Sequence, residues 1–586
     1  MSLVGVALLA AAVLTIAYFT YGRLLSRLLR LDPKVRTPAV ELRDDLDYVP
    51  IESKFLLSQH FSAIAAAGPI VGPILAGIMF GWLPALIWIL IGSIFIGGVH
   101  DITSLTASIR HRARSIADVV RENMSQRSYL MFLAFIWIAL VYIIVAFADI
   151  TAASFVGMVK LEDGTQVSGP GIASSSMLYL LLPIVMGLLL RYTRLSLNWA
   201  TIIFLPLVGL TVYIGQYIPF ELASMLGVND DQGQKVWGVL LLVYCLIAAV
   251  APMWLLLQPR GHLGGYFLYV ALAAGFIGLL FGGQEIRYPA FTGWTSIKGE
   301  TLFPFLFITI ACGACSGFHS LIASGTTSKQ LRLETDALPV GYGAMLLEAM
   351  VTVISLACVM ILPLGHVVLN GSPNAIYGLG MGNMLEFSGI SPALVVSFAL
   401  MAFTTFVYDT LDVCTRLGRY IIQELLGWPG WPGRWIGTAL TAGVPVFFIV
   451  QKTQFDAKGA PIPVWRTFWS LFGASNQLLA ALTLLGVTVW LWKTRRAAWI
   501  WIVTGLPTVW MYVMSIWALV AMTWPKFWKA ESGSTEFHFP SDPVPYAGLV
   551  LMALAAMMLI EAVLILWNAG GPPKQQAPSL GVPATT

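Results

Sequence analysis

The chain has 586 residues, of which 58% are hydrophobic and 11% are charged, and its mean hydropathy is +0.80. Soluble domains carry roughly 25% charged residues, so this chain has too few polar side chains to cover a surface that faces water. The formal net charge of +4 is too small to indicate a nucleic-acid partner. The composition excludes an ordinary soluble enzyme and predicts an all-α polytopic membrane protein with the lipid bilayer as its solvent.

Apolar segments recur along the chain at lengths that fit a bilayer-spanning helix. A scan for stretches of about 20 mainly apolar residues predicts about 15 transmembrane helices. Their centres lie near residues 15, 70, 95, 143, 182, 208, 247, 273, 313, 351, 403, 442, 479, 510 and 556. Lys and Arg concentrate in alternate loops, with Arg260 counted among the cytoplasmic loop cations, which predicts an N-terminus outside and a C-terminus in the cytoplasm.

The second predicted span contains two Gly-Pro pairs, Gly68-Pro69 and Gly72-Pro73. Proline has no N–H, so Pro69 leaves the carbonyl of Ala65 without its helical donor. Freed carbonyls are costly in lipid unless they line a cavity or bind a ligand. A simple proline kink is the structural alternative. We expect the helix to unwind here, with Gly68, Pro69 and Gly72 contacting a substrate. The carbonyl of Ala65 is then free to contact a coupling ion.

The ninth predicted span has the same character, because small residues fill it between Ala311 and Ser328. Glycine has no Cβ, so its backbone can leave the helical conformation easily, which permits unwinding. We predict that a second substrate-binding break lies in this span. Its predicted binding residues are Gly313, Ser316, Gly317 and His319.

The two broken spans are seven apart in the predicted order, so they cross the membrane in opposite directions. Paired discontinuous helices of opposite direction are typical of an inverted five-plus-five repeat that binds its substrate near the midplane. The predicted divisions are a peripheral span (1–30), a first repeat (50–220), connecting spans (236–284), a second repeat (302–492), C-terminal peripheral spans (497–567) and a disordered tail (568–586).

Ionisable side chains inside spans are energetically expensive and usually mark function. The predicted spans contain His60, Asp101, Asp149, His319, Glu348, Asp409 and Asp412. We predict that His60, Asp101 and Asp412 take part in ion coupling. Each has a structural alternative: Asp101 could pair with Arg110, and Asp412 with Arg416 one helical turn further on.

Cys312 and Cys315 form a C-x-x-C pair within an apolar run. Cysteine is small and apolar, so helix packing explains this pair better than redox chemistry does. No nucleophile–base pair or metal-ligand cluster is evident. We therefore predict a protein that is not an enzyme and has no catalytic residue, no metal and no cofactor.

Several longer motifs resemble the carbon starvation protein A (CstA) family of bacterial membrane transporters. They run over most of the chain, from about residue 45 to residue 485. The motifs are Gln59–Ala65 leading into Gly68–Pro73, Val99–Asp101, Ile310–Gly313, Ser316–His319, Ser324–Thr327, Glu334–Ala337, Gly341–Met345, Asp412 with Thr415 and Arg416, and Phe472–Gln477.

The resemblance implies a LeuT-like fold in the bacterial inner membrane and the import of small carboxylate-bearing nutrients during carbon starvation. Members of the family are described as peptide transporters and close relatives as pyruvate–proton symporters, so both substrates remain open. By analogy with that fold, Thr404 and Thr405 would complete a sodium site with carbonyls of the first broken helix. A proton carried by a carboxylate or a histidine is the alternative. A starvation sensor that does not transport is the alternative function.

The predicted topology places the loop around Lys160 outside the cell. We expect Lys160→Cys to react with a membrane-impermeant maleimide added to intact spheroplasts, and Arg194→Cys to react only after permeabilisation. Labelling of Lys160→Cys from the cytoplasmic side alone would show that the predicted orientation is wrong.

Overall fold

The computed structural model describes residues 2–44, 47–161, 164–252, 254–428, 430–451, 454–455, 461–531, 534–540 and 542–568. The predicted disordered tail after residue 568 lies outside these residues. Helices make up nearly all of the described chain. The first twelve are α1 (Leu3–Ala17), α2 (Arg23–Leu29), α3 (Pro38–Glu41), α4 (Ser53–Ile64), α5 (Gly68–Phe80), α6 (Trp82–Gly92), α7 (Gly98–Arg110), α8 (Ile116–Asn123), α9 (Gln126–Val156), α10 (Gly169–Tyr192), α11 (Leu197–Gly215) and α12 (Leu222–Leu226).

The later helices include the longest in the protein. They are α13 (Asp230–Val250), α14 (Leu257–Phe281), α15 (Leu302–Thr309), α16 (Ala311–Ala314), α17 (Phe318–Ile322), α18 (Ala344–Met360), α19 (Pro373–Met384), α20 (Pro392–Leu426), α21 (Trp431–Ile449), α22 (Val464–Arg495), α23 (Leu506–Thr523) and α24 (Val544–Asn568). Short π-helical turns interrupt or join several of them, at Tyr18–Gly22, Ser93–Gly97, Ala323–Thr327, Leu338–Gly343 and Trp501–Gly505.

The described strands form small hairpins in connecting segments. The antiparallel pairs are β1 (Met158–Lys160) with β2 (Gln166–Ser168), β3 (Gln454–Phe455) with β4 (Pro461–Ile462), and β5 (Trp528–Glu531) with β6 (Ser534–Phe537). In the first hairpin Val159 lies opposite Val167. Val167 of the first hairpin is buried in a small apolar cluster with Phe155 and Trp237.

Within the described residues, 12 helices are long and apolar enough to cross a membrane, or up to 13 if the bent pair α4 and α5 forms one span. The prediction of an all-α polytopic membrane protein is confirmed. The predicted centres near residues 313 and 442 fall on helical segments, α15–α17 and α21, that are not among those 12. The count of fifteen and the inverted repeat therefore stay predictions.

The long helices differ in how much of their surface the protein covers. The most apolar part of α22 is 100% buried and that of α20 is 89% buried, whereas the corresponding part of α24 is only 22% buried. Helices α20 and α22 therefore lie at the centre of the bundle, and α24 lies at its edge, where lipid would surround it.

The first broken span bends by 48° between α4 and α5. The helix ends because Ala65 adopts φ −78° and ψ 75°, outside the helical region. The expected position of the break was slightly wrong. Gly68, Pro69 and Gly72 belong to α5, and Pro69 occupies its first turn, where a missing N–H costs nothing. Unwinding is confined to the residues just before Gly68.

The second broken span is interrupted at Cys315, whose φ of −165° and ψ of 114° are extended. Gly313 lies in the short helix α16, while Ser316 and Gly317 form the break itself. Small residues bring the two broken spans into direct contact. A Cβ on Gly68 would overlap the side chain of Cys312, so the two broken spans could not keep their present separation.

Gly72 makes the closest of these backbone contacts. A Cβ there would lie 2.5 Å from the carbonyl oxygen of Thr309 and 3.3 Å from the Cα of Ile310. The second broken span therefore lies directly against Gly72, so the glycine allows close helix packing, and substrate binding at Gly72 stays a prediction.

We expect Gly72→Ala to lower the stability of the detergent-solubilised protein by about 1–3 kcal/mol, because the added methyl group forces the two backbones apart. Gly209→Ala in α11 is a matched control, since no described atom lies within 4 Å of the Cβ position there. Alanine is the better helix former by about 1 kcal/mol, so the control should unfold at the same temperature or higher. Equal melting temperatures for both variants would contradict the packing role.

Candidate transport site

Four ionisable side chains form a buried chain where the second broken span meets its neighbours. The Asp101 carboxylate lies between two imidazoles, with Oδ1 2.7 Å from Nδ1 of His100 and Oδ2 2.8 Å from Nδ1 of His319. The second ring nitrogen of His319, Nε2, lies 3.2 Å from Oε2 of Glu348. This is an ion-pair distance, although its angle is not that of a hydrogen bond. All four side chains are fully buried.

Irregular backbone positions each of these groups. Asp101 lies in the first turn of α7, directly after the π-helical turn Ser93–Gly97. Glu348 lies in the first turns of α18, directly after the π-helical turn Leu338–Gly343. His319 lies just beyond the break in the second broken span. A π-helical turn adds a residue to a helix and rotates the helical turns after it, and such turns are frequent at functional sites.

His60 connects the two broken spans. Its Nδ1 lies 2.8 Å from Oγ1 of Thr327, which belongs to the π-helical turn after α17. The ring is almost fully buried, and it lies within electrostatic range of Asp101 and His319. The structure thus brings together three of the predicted site residues, namely His60, Asp101 and His319. Glu348 completes the group.

A single amide side chain holds the second break. Oδ1 of Asn476, on α22, accepts a hydrogen bond from the N–H of Phe318 at 3.0 Å, and its Nδ2 lies 3.0 Å from Oγ of Ser316. The backbone carbonyl of Asn476 also accepts from the N–H of Gly317, at 3.1 Å. These bonds satisfy the polar groups that the missing helical turn exposes. The sequence marks Asn476 only as part of a motif, because a polar residue mid-helix carries no pairing information of its own.

A second buried cluster surrounds Arg260, in the first turn of α14. Its Nε lies 2.6 Å from Oδ1 of Asp409, and its Nη1 lies 2.5 Å from Oδ2 of Asp412. Nη1 also donates to the hydroxyl of Tyr244, which in turn donates to Oδ2 of Asp412 at 2.9 Å. Ser62, at the end of α4, donates to Oδ2 of Asp409. The cluster therefore joins the first broken span to α13, α14 and α20.

Two expectations about these charges were wrong. Arg260, counted from the sequence among the loop cations, is fully buried because two aspartates neutralise it. The structural alternative for Asp412 also fails, since the guanidinium of Arg416 donates to the carbonyls of Ala248 and Ala251 at 2.8 Å.

The structural alternative for Asp101 fails for a similar reason. The Arg110 guanidinium pairs with Glu334, with Nε 2.9 Å from Oε1, and it donates to the carbonyl of Leu29. The carboxylate of Asp101 therefore pairs with His100 and His319 rather than with Arg110.

The predicted sodium ligands lie beside the Arg260 cluster, since Thr405 precedes Asp409 by one turn of α20 and Ala65 follows Ser62 by three residues. The Oγ1 of Thr404 is 3.1 Å from the Oγ of Ser176 on α10, and it donates to the carbonyl of Met401. The hydroxyl of Thr405 has no hydrogen-bond partner among the described residues. Ala65 ends α4 as predicted for an unwound segment. A sodium site formed by Thr404, Thr405 and Ala65 stays a prediction.

A narrow cavity of about 40 Å³ lies between the two clusters. Both broken spans line it, the first with His60 and the second with Thr327, and Asp409 of α20 closes one side. Among its described lining residues are none of the predicted substrate contacts, which are Gly68, Pro69, Gly72, Gly313, Ser316, Gly317 and His319. Gly68 and Gly72 lie at the contact between the broken spans, whereas Gly313 faces Thr352 of α18 and Gly317 faces α22. The role of all seven residues in binding stays a prediction.

Helices that can cross a membrane, two broken spans in contact and charged clusters buried beside them define a polytopic membrane protein of the transporter class. The family described as "Carbon starvation protein CstA" matches this chain over residues 2–378 and 364–518. The chain belongs to this family, and the resemblance read from the motifs is confirmed.

Characterised relatives align over nearly the whole chain. It is 31% identical to the peptide transporter CstA of Escherichia coli, over 86% of this chain and 78% of that protein. It is 30% identical to the peptide transporter CstA of Helicobacter pylori, over 88% of this chain and 81% of that protein. It is also 30% identical to the pyruvate/proton symporter BtsT of Escherichia coli, over 87% of this chain and 80% of that protein.

We expect Asn476→Ala to destabilise the solubilised protein by about 1–3 kcal/mol, because it leaves buried groups at the second break without partners. Thermal unfolding in detergent measures the effect. Asn198→Ala, at an exposed position in α11, is the control and should unfold like the parent protein. An unchanged melting temperature for Asn476→Ala would show that the break is held by other contacts.

Proposed function

We propose that this protein is a secondary active transporter that imports small carboxylate-bearing nutrients, peptides or pyruvate, and that protons drive it. The observation that carries the proposal is the position of His319 between the carboxylates of Asp101 and Glu348. An imidazole can take up and release a proton near neutral pH, and both of its nitrogens here face an acceptor.

The protonation states available to Asp101, His319 and Glu348 support a role for these residues in coupling. With His319 protonated, its Nδ1–H donates to Asp101 and its Nε2 lies at ion-pair distance from Glu348, so one positive charge stands between two negative ones. Loss of one proton leaves two carboxylates beside a neutral ring in a fully buried site, which is costly. The group formed by Asp101, His319 and Glu348 therefore holds one proton tightly until a change in helix packing gives that proton access to water on one side of the membrane.

The substrate would enter beside the two broken spans. In the family fold that the motifs suggest, a substrate carboxylate meets the positive end of a half-helix. At the second break the N–H groups of Gly317 and Phe318 are already bonded to Asn476. At the start of α5, Pro69 has no N–H and the N–H of Ile70 donates to the carbonyl of Ala67 at 3.1 Å, so the N–H of Gly68 is the group we propose for carboxylate recognition. The relatives named as peptide transporters and as a pyruvate/proton symporter both fit this substrate class.

The test is uptake of labelled pyruvate and labelled dialanine into proteoliposomes, with pH and sodium gradients imposed separately. We expect an inward proton gradient to drive accumulation. Glu348→Gln should lose accumulation but keep substrate exchange at equal pH, because it removes the carboxylate beside His319 and leaves the predicted substrate contacts in place. Glu386→Gln, an exposed carboxyl, is the control that should accumulate substrate normally.

Two outcomes would contradict this scheme. Accumulation driven by sodium at equal pH would assign the coupling to another site, such as the predicted Thr404 and Thr405 site. Absence of both accumulation and exchange in well-folded protein would favour a sensor that does not transport.

A further inference from the structure

The Arg260 cluster brings two buried carboxylates to one side of α20. Asp409 and Asp412 are three residues apart in that helix, so they face the same neighbours. Each is in direct contact with the guanidinium of Arg260, through Oδ1 of Asp409 and Oδ2 of Asp412. Two carboxylates that are both almost fully buried need a cation beside them, because lipid and apolar side chains cannot stabilise their charge. In this protein the chain itself supplies that cation.

Hydroxyl groups extend the cluster toward the first broken span. Ser62, two residues before the end of α4, donates to Oδ2 of Asp409. Thr405 lies one turn before Asp409 on the same face of α20, and its buried hydroxyl has no hydrogen-bond partner among the described residues. Hard cations such as sodium bind oxygen ligands, and in broken-helix transporters they bind where an unwound segment meets its neighbours. The cluster therefore has the oxygen groups of a cation site, with a guanidinium among them.

Close packing of α14 fixes the guanidinium at this junction. Arg260 lies in the first turn of α14, and Gly264 follows it by one turn on the same face of the helix. A Cβ on Gly264 would lie 2.6 Å from Oδ2 of Asp409 and 2.7 Å from Oγ of Ser62. The glycine thus lets α14 lie directly against the hydrogen bond that joins α4 to α20. The side chain of Arg260 is fully buried beside that bond.

We infer that the guanidinium of Arg260 is a tethered cation that takes the place of a sodium ion between the first broken span and α20. A guanidinium is charged at every physiological pH and cannot dissociate from the chain. An inorganic cation would have to approach the two carboxylates against that fixed positive charge. The inference rests on the proposed transport function and specifies its coupling. Substrate is carried without sodium, and Arg260 is the positioning residue that determines this.

A tethered cation changes how α4 is released from α20. A sodium ion would link the two helices only while it is bound, so its departure would favour their separation in each transport cycle. The guanidinium instead holds Asp409 beside Ser62 without any bound ion. The signal that frees α4 must then come from another group. Under the proposed function, a change in protonation of the group formed by Asp101, His319 and Glu348 supplies it.

The experiment measures thermal unfolding of the purified full-length protein in detergent, with sodium chloride replaced by choline chloride at constant ionic strength. We expect no sodium-specific change in the melting temperature of the parent protein, because Arg260 already fills the place of the ion. Arg260→Ala should melt roughly 5–10 °C lower, since it leaves two buried carboxylates without their cation. Sodium, or guanidinium at low millimolar concentration, should recover roughly half of that loss or more, whereas choline should recover none.

Three further variants keep the result interpretable. Arg419→Ala is the matched control, because Arg419 is also buried but its Nη1 donates to the backbone carbonyl of Ala249, at 2.7 Å, and not to a carboxylate. It should lose stability without gaining a response to sodium. Arg260→Lys keeps a tethered charge and should stay indifferent to sodium. If Arg260→Ala does not fold, Arg260→Met combined with Asp412→Asn decides the question. That pair removes one charge of each sign, and sodium should stabilise it through Asp409.

Sodium-specific stabilisation of the parent protein would overturn the inference, because an ion would then bind in spite of Arg260. A folded Arg260→Ala protein that responds to neither sodium nor guanidinium would also overturn it, since the guanidinium would then only join helices. These measurements use no gradient and no substrate. A failure of proton-driven uptake would therefore contradict the proposed function and leave this result independent.

Discussion

Buried charge needs a partner inside the protein, because lipid offers none, and this constraint determines how the bundle is assembled. Asp101, His319 and Glu348 come from three helices that are distant in the sequence, and none of them could be buried ionised without the others. Arg260 imposes the same condition on α13, α14 and α20. The two charged clusters therefore specify which helices are neighbours. The apolar contacts around them stabilise the bundle, but they are not directional and do not determine which helices pair.

Close approach of backbones makes this pairing possible. Gly68 and Gly72 let α5 lie against the second broken span, and Gly98 of α7 packs on the ring of Tyr342. The hydroxyl of Tyr342 then donates to the carbonyl of Ile94, 3.3 Å away, within the π-helical turn before α7. A larger side chain at Gly98 would push α7 away from the turn that leads into α18, and with it Asp101 away from His319 and Glu348. Packing and electrostatics are thus two aspects of one arrangement.

Hydropathy, charge bias and motifs predicted the membrane class, the family and the existence of both breaks, because those properties are local in the sequence. The exact position of the first break was not predictable, since Pro69 is tolerated at a helix start as well as at a kink. The 12-residue helix α19 was missed because it is too short to cross a bilayer and is buried between neighbours. Arg260 was misplaced for a related reason: the charge rule counts cations near span ends and cannot detect that two distant aspartates bury one of them.

The position of His60 suggests how substrate and proton would influence each other under the proposed scheme. Its ring lines the cavity with Asp409 on one side, and on the other side it lies within electrostatic range of Asp101 and His319. Under that scheme the carboxylate of a substrate lies beside the broken spans. A negative charge arriving there stabilises a proton on the neighbouring imidazoles, and by linkage the proton stabilises the bound substrate to the same extent. A substrate carboxylate beside the broken spans therefore gives the coupling the sign that a symporter requires.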